Sequence, residues 1–298
     1  MNWKNKLQQR VSEVEGVIQK FLPEETGYQK TVIEAMNYSV LAGGKRLRPM
    51  LMEETYRLFG GKSEVVEPFM AAMEMIHTYS LVHDDLPAMD NDEYRRGRKT
   101  THVVYGEGMA ILAGDGLLNY AFETALKAFD VEPGNQHIGK AMQVLAKKAG
   151  IYGMIGGQTA DIEAEDMDQR NVNNELLLFI HENKTAALIQ SSMMIGAILA
   201  GAKEEDVKAV EKIAYNVGIA FQIQDDILDI TSSLEVLGKM TGSDEKNHKV
   251  TYVTLNGMEK SKEDVEKLSK EAITLLNSFD NKNEFLNQLI EELITREN

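Results

Sequence analysis

The chain has 298 residues, 43% of them hydrophobic, enough to bury a large core, and its 47 acidic against 32 basic side chains leave a net charge of −15. A nucleic acid partner is excluded on that balance, because a polyanion needs a broad basic footprint. There is no cysteine, so neither a disulfide framework nor a thiolate metal site can form.

The N-terminal MNWKNKLQQRVSEVEG lacks the apolar centre of a signal peptide, and no uncharged apolar run reaches about 18 residues, so a cytoplasmic protein without a membrane span is expected. Five prolines and the lack of a Gly/Ser-rich spacer point to a single domain over residues 1–298. Asn2 to Leu22 is amphipathic and stops at Pro23. Glu34 to Leu41 makes a second helix that ends at Gly43-Gly44, a left-handed stop of the kind glycine permits. Leu47 to Phe59 stops at Gly60-Gly61, and Ser63 caps the helix that leads to Asp84. After an arginine-rich loop come Met109 to Phe129, Ile138 to Gly150 and the long apolar stretch Asn174 to Ala200. Glu204 to Ile230 follows, then a loop rich in Lys and Gly as far as Lys249, and amphipathic helices near Glu263 to Leu276 and Glu284 to Thr295. No alternating strand or hairpin pattern interrupts the series and no solenoid repeat is present, so the class is all-α.

Two stretches do not read as core. In MEMIHTYSLVHDDLPAMDNDEYRRGRK, residues 73–99, Met73, His77, Ser80 and Asp84 share one helical stripe, half polar and therefore facing something wet or ionic. Pro87 ends the helix, which leaves Asp84 and Asp85 at a C-terminus whose dipole opposes carboxylates by roughly 0.3 to 1 kcal/mol each. Asp90 and Asp92 add repulsion. A bound cation reverses the sign of these terms, and an all-oxygen donor set suits Mg²⁺ better than zinc. A solvated acidic loop is the plain alternative for one such run. A second run, Phe221-Gln-Ile-Gln-Asp-Asp-Ile-Leu-Asp229, places Asp225 and Asp229 on one face, with Gly218 and Gln222 continuing the stripe. Facing each other across a cavity, the two runs could hold several Mg²⁺ ions around one highly charged anion.

The basic residues form islands. Gly43-Gly44-Lys45-Arg46-Leu47-Arg48-Pro49 is a glycine turn that presents cations at a helix start, and Arg95, Arg96, Arg98 and Lys99 make a second group. In an acidic protein such islands point to a small anion in a pocket, gripped bidentately by Arg. His77 lies on the stripe of Asp84, where an anion contact is the expectation. Lys184 sits with Thr185 inside an apolar helix and must meet a negative group or a wet cavity. Gly156-Gly157-Gln158-Thr-Ala-Asp161, taken singly, is a helix packing contact. Lys239, Asp244 and Lys249 flank a loop that could close over the site. Two carboxylate clusters, separate cations and apolar walls suit the ionisation of a diphosphate ester. No nucleophilic triad and no Gly-x-x-x-x-Gly-Lys-Ser/Thr loop competes with that chemistry.

At these residues the chain resembles the short-chain trans-prenyl diphosphate synthases, with the bacterial farnesyl diphosphate synthases the most similar group. GGKRLRP, DDLPAMD, RRG, GGQ..D, KT, FQIQDDILD and the later lysines carry the resemblance over nearly the whole length. It implies an isoprenoid-synthase helical bundle around a deep central cavity, usually as a homodimer. It implies that Asp84, Asp85 and Asp90, with Asp225 opposite, bind Mg²⁺, three ions once substrate is present, together with the allylic diphosphate, and that Asp226 and Asp229 complete the second run. Arg95 then contacts the allylic diphosphate, while Lys45, Arg48, His77 and Arg96 hold isopentenyl diphosphate. Lys184, Thr185 and Gln222 face the reacting carbon, and Lys239 and Lys249 contact diphosphate. The basic C-terminal tail of some relatives is reduced to Ile294-Thr-Arg296-Glu-Asn298, and no tail clamp is assigned.

Product length rests on Tyr79 and Ser80. Ser80 points beneath the diphosphate by helix geometry, whereas Tyr79, about 140° from Asp84, is chosen only by the family's aromatic residue five positions before the first aspartate. On that pattern Tyr79 stops growth at fifteen carbons. A geranylgeranyl diphosphate synthase shares every motif except the residues below the first aspartates. A terpene cyclase should lack the second run and GGKRLRP, a silent partner subunit should have lost aspartates, and an acidic ion buffer needs no arginine islands.

Overall fold

A computed structural model describes residues 2–165, 167–235 and 250–295. Its helices, in chain order, are α1 (Trp3–Lys20), α2 (Lys30–Val40), α3 (Leu47–Leu58), α4 (Glu67–Asp84), α5 (Thr101–Tyr105), α6 (Glu107–Leu126), α7 (Ala128–Val131), α8 (Ile138–Ala149) and α9 (Met154–Glu165). They continue as α10 (Asn174–Ile180), α11 (Ala187–Leu199), α12 (Glu204–Glu235), α13 (Tyr252–Asn256), α14 (Met258–Leu276) and α15 (Glu284–Thr295). The fold is all-α, as the periodicity implies.

Two helices are inner ones. α4 buries residues on every side, from Phe69 and Met70 to Met75, Ile76, Tyr79 and Val82, the pattern of a helix surrounded by others. It packs on α1, α2, α3, α6 and α11. Beyond Glu67, its residues that keep partial exposure are His77, Ser80, Leu81, His83 and Asp84. His77, Ser80 and Asp84 among them belong to the expected polar stripe. α11 is likewise buried along almost its whole length and lies against α3, α8 and α12, and α12 is in turn covered by α14. Ser63 caps a single 3₁₀ turn, Glu64–Val66, that leads directly into α4.

Three features differ from expectation. A hairpin of two-residue strands, β1 (Tyr94–Arg95) and β2 (Arg98–Lys99), pairs Tyr94 with Lys99. Strands this short carry no alternation. Their signal lies in the turn, where Arg96 and Gly97 both have positive φ, as a tight type I′ hairpin requires. The stretch from Asn174 to Ala200 is not uniform, because His181–Ala186 is a π-helical turn between α10 and α11. The second aspartate helix runs on to Glu235. Among the described residues no helix is long and apolar enough to cross a membrane.

Candidate active site

The C-terminus of α4 builds one side of the site. With Pro87 unable to continue the helix, the chain folds back: the Asp90 amide donates to the Asp84 carbonyl at 2.9 Å, and Asn91, left-handed at φ 54°, donates to the Leu86 carbonyl at 3.1 Å. Asp90 is thereby returned to the end of the helix that carries Asp84. The Asp84 carboxylate accepts from Gln158 Nε2 at 2.9 Å, and Asp85, which is buried, accepts from Arg95 Nε at 2.6 Å. Burial pushes the Asp84 carboxyl up to about 6, with Lys184 opposing and the negative charge of Asp90 adding to the rise. Burial also raises Asp85, against the pull of Arg95.

Lys184 and Thr185 are set by the π turn. Such single turns widen the helix locally and re-aim the side chains on them. Two glycines make room: a Cβ on Gly157 of α9 would overlap the Lys184 backbone, and one on Gly218 of α12 would overlap the Ala186 side chain. The Lys184 ammonium lies 2.5 Å from Asp161 Oδ2 and lines the cavity described below. Both the negative group and the cavity that the sequence demanded are therefore present. Gln158 and Asp161, read singly as packing, instead hold the two key charges of this side. Their signal was two polar residues three apart after a glycine pair on an apolar helix.

The cations divide into structural and cavity-facing groups. Arg46 is 3% exposed and left-handed at φ 48°, and its guanidinium donates to Glu74 at 2.6 Å and to the Val40 carbonyl at 2.7 Å. It fixes the glycine turn. Arg48, two residues on, lines the cavity, and burial lowers it to about 10, which leaves it charged at neutral pH. Its Nη1 donates to His77 Nε2 at 3.3 Å, so that imidazole nitrogen is the acceptor. Burial and then Arg48 hold His77 well below its ordinary pKa, and the ring is neutral. Lys45 is exposed. Arg96 reaches back from the hairpin to the Gly43 carbonyl, with Gly44 beneath its guanidinium. Arg98 stacks over Tyr38 at 4.2 Å.

A cavity of about 650 Å³ joins Arg48 and His77 to Asp84 and Lys184, whereas Arg95, Arg96 and Arg98 line a separate, smaller one with Asp85. The polar rim of the larger cavity holds Arg48, His77, Asp84, Gln158, Lys184 and Thr185, and its walls include Leu81, Leu86, Ile111, Leu118, Ile155 and Leu188. Tyr79 and Ser80 both line it. Tyr79, which the wheel alone would not choose, reaches the cavity because the cavity wraps around more than one face of α4.

The second run lies on α12, which packs on the π turn. Gln222, Asp225 and Asp229 are half-buried there. Asp226 is 8% exposed, and its Oδ2 accepts from the Tyr252 amide at 2.7 Å. Next to Asp225 in sequence, it is turned about 100° round the helix, towards the start of α13. Lys239, Asp244 and Lys249 lie outside the described residues.

Among the described residues no three His, Asp or Glu side chains are gathered into a ready metal cage. The donor set nevertheless fits a hard divalent cation. Asp84, Asp85 and Asp90 offer carboxylate oxygens, and the upward displacement of Asp84 by burial and like charge is the repulsion that such an ion relieves.

Residues 29–293 match the family model for polyprenyl synthetase, and the chain belongs to that family. It is a prenyltransferase of the trans-prenyl diphosphate synthase type. It is 43% identical over 290 residues to a dimethylallyltranstransferase of Fischerella ambigua, covering 97% of this chain and 82% of that one. It is 43% identical over 292 residues to a geranylgeranyl diphosphate synthase of Cyanophora paradoxa, with coverage of 98% and 96%. Among solved structures, an apo FPP/GFPP synthase from Zymomonas mobilis superposes with a TM-score of 0.86 at 31% identity, covering 98% and 99% of the two chains.

Proposed function

We propose that the protein is a farnesyl diphosphate synthase, one domain over its whole length and a homodimer, condensing isopentenyl diphosphate with dimethylallyl and then geranyl diphosphate. The observation that carries the product length is Tyr79, five residues before Asp84, 6% exposed and lining the cavity. An aromatic ring there closes the space an isoprenoid chain would grow into.

Asp84, Asp85 and Asp90 on one side, with Asp225 and Asp229 on the other, would hold Mg²⁺. When bound, the ions neutralise charge on the departing allylic diphosphate. Arg95 grips that diphosphate while Lys45, Arg48 and Arg96 hold isopentenyl diphosphate. Neutral His77 adds a polar contact without a further charge. As the allylic C–O bond breaks, the Thr185 hydroxyl and the Gln222 amide present fixed dipoles to the developing cation, and the apolar walls exclude water that would quench it. The isopentenyl double bond then attacks the cationic carbon, and the proton lost from the adduct goes to the released diphosphate.

A geranylgeranyl product is the second reading, supported by relatives such as the Cyanophora enzyme. The deciding experiment gives purified protein dimethylallyl diphosphate and an excess of isopentenyl diphosphate with Mg²⁺ and separates the extracted products by length. Mainly fifteen-carbon product is expected, moving to twenty carbons or more in Tyr79→Ala and to ten in Ser80→Phe. A parent that makes mainly the twenty-carbon product refutes the farnesyl assignment.

A further inference from the structure

α4 meets α6 tightly at one point below the acidic run. A Cβ on Gly114 would overlap the His83 imidazole, so the ring occupies space that any other residue at 114 would claim. His83 Nε2 lies 3.1 Å from the Ile111 carbonyl, to which it can only donate, and 3.9 Å from Asp115 Oδ1. On its other side the ring meets Tyr79, with centroids 5.8 Å apart and planes at 81°, an edge-to-face contact. Tyr79, His83, Ile111, Asp115 and Leu118 all line the cavity. The Tyr79 hydroxyl, buried, has no hydrogen-bond partner among the described residues. Nothing polar therefore fixes the Tyr79 ring, and its position depends on what packs beside it.

We infer that His83, wedged in place by Gly114, braces Tyr79 and with it sets how long a prenyl chain the cavity accepts. The inference rests on the reading of Tyr79 as the floor of the cavity. Tyr79 supplies bulk, whereas His83 supplies the stop against which that bulk is held. Removing the His83 ring lets Tyr79 turn aside and adds the vacated space to the cavity. Adding a methyl at Gly114 has the opposite result: the imidazole must leave α6, and the open direction is towards Tyr79 and the cavity. Phe at 83 keeps the ring while giving up the bond to the Ile111 carbonyl.

The test compares parent, His83→Ala, His83→Phe and Gly114→Ala on dimethylallyl diphosphate with an excess of isopentenyl diphosphate, reading the ratio of products one isoprene unit apart rather than the rate. His83→Ala should raise the ratio of longer to parental product by about tenfold or more, the scale on which a filled or emptied apolar pocket discriminates. Gly114→Ala should shift product towards the shorter chain, and His83→Phe should stay within about twofold of the parent. If His83→Ala and Gly114→Ala both leave the ratio unchanged, the brace is refuted. His83 adjoins the acidic run, so a folded variant that does not turn over is scored instead by how far farnesyl and geranylgeranyl diphosphates each raise its melting temperature. Loss of the parental preference for the shorter ligand supports the brace and its retention refutes it. If His83→Ala does not fold, Gly114→Ala decides alone. The parent's own product separately judges the farnesyl reading, since a shift from a twenty-carbon parent would still support the brace.

Discussion

The two aspartate runs are near copies in sequence and unlike in structure. The first ends a helix: Pro87 forces a fold-back that brings Asp90 to Asp84, and Gln158, Arg95 and Lys184 gather round it. The second lies within a helix that continues to Glu235, so its carboxylates are distributed by helical rotation alone. Asp225 and Asp229 share a face, and Asp226 accepts from the amide of Tyr252. A turn can bring residues distant along the chain back to one helix end, as the Asp90 amide meets the Asp84 carbonyl. A helix offers the pairs at i and i+4, Asp225 and Asp229, and at i and i+3, Asp226 and Asp229, as its rotation places them.

The largest expected effect follows from what the runs share. Asp84→Ala or Asp225→Ala should each cost about three orders of magnitude or more in turnover at saturating Mg²⁺, about 4 kcal/mol of barrier. Steady-state kinetics would break the model of paired metal sites if either variant kept turnover within about tenfold of the parent.

Next comes the division of anions between the sides. Arg95 is bonded to Asp85 of the first run, while Arg48 faces His77 further along α4. Arg95→Ala should raise the KM for the allylic substrate more than that for isopentenyl diphosphate, and Arg48→Ala should do the reverse, because each leaves a different charge-assisted contact unmade. Equal effects on both substrates in both variants would merge the two anion sites into one.

A smaller effect separates neighbours within the second run. Asp226→Ala leaves the buried Tyr252 amide without this acceptor, a loss of about 1 to 3 kcal/mol that should appear as a fall of several degrees in the unfolding midpoint. Its turnover should remain within about tenfold of the parent, far above that of Asp225→Ala. Should Asp226→Ala match Asp225→Ala in turnover without loss of stability, the distinction between them is wrong.

Much of this was legible in the sequence because it depends on local pattern. Long amphipathic periodicity marks the helices, and charge islands in an apolar, acidic chain mark the site. The demand of Lys184 for a negative partner also followed from its apolar helix, and Asp161 answers it. Other features depend on contacts distant in sequence. Arg46 and Arg48 look equivalent in GGKRLRP, and only Glu74, buried on α4, makes the first structural. The π turn at His181–Ala186 changes backbone hydrogen bonding without changing side-chain type, so no periodicity announces it. Gln158 became a site residue only when α9 was laid against the end of α4.

Gln158 supplies the smallest expected effect and the finest test of the first run. Its Nε2 contributes one bond to Asp84, where one partner is a carboxylate. Gln158→Ala removes that bond but leaves the Lys184 charge nearby, so kcat/KM should fall between about threefold and about thirtyfold, about 0.5 to 2 kcal/mol. Gln158→Glu is the sharper variant. It replaces a donor with a carboxylate beside Asp84, adding repulsion where burial already disfavours charge. If the first run is a cation site, raising Mg²⁺ should restore part of the activity of Gln158→Glu and little of that of Gln158→Ala, since added cation offsets a charge but cannot replace a hydrogen bond. Titrating activity against Mg²⁺ for the two variants separates these outcomes. Identical Mg²⁺ dependence in both would mean that Gln158 acts on Asp84 through packing alone, and the electrostatic reading of the first run would lose its support.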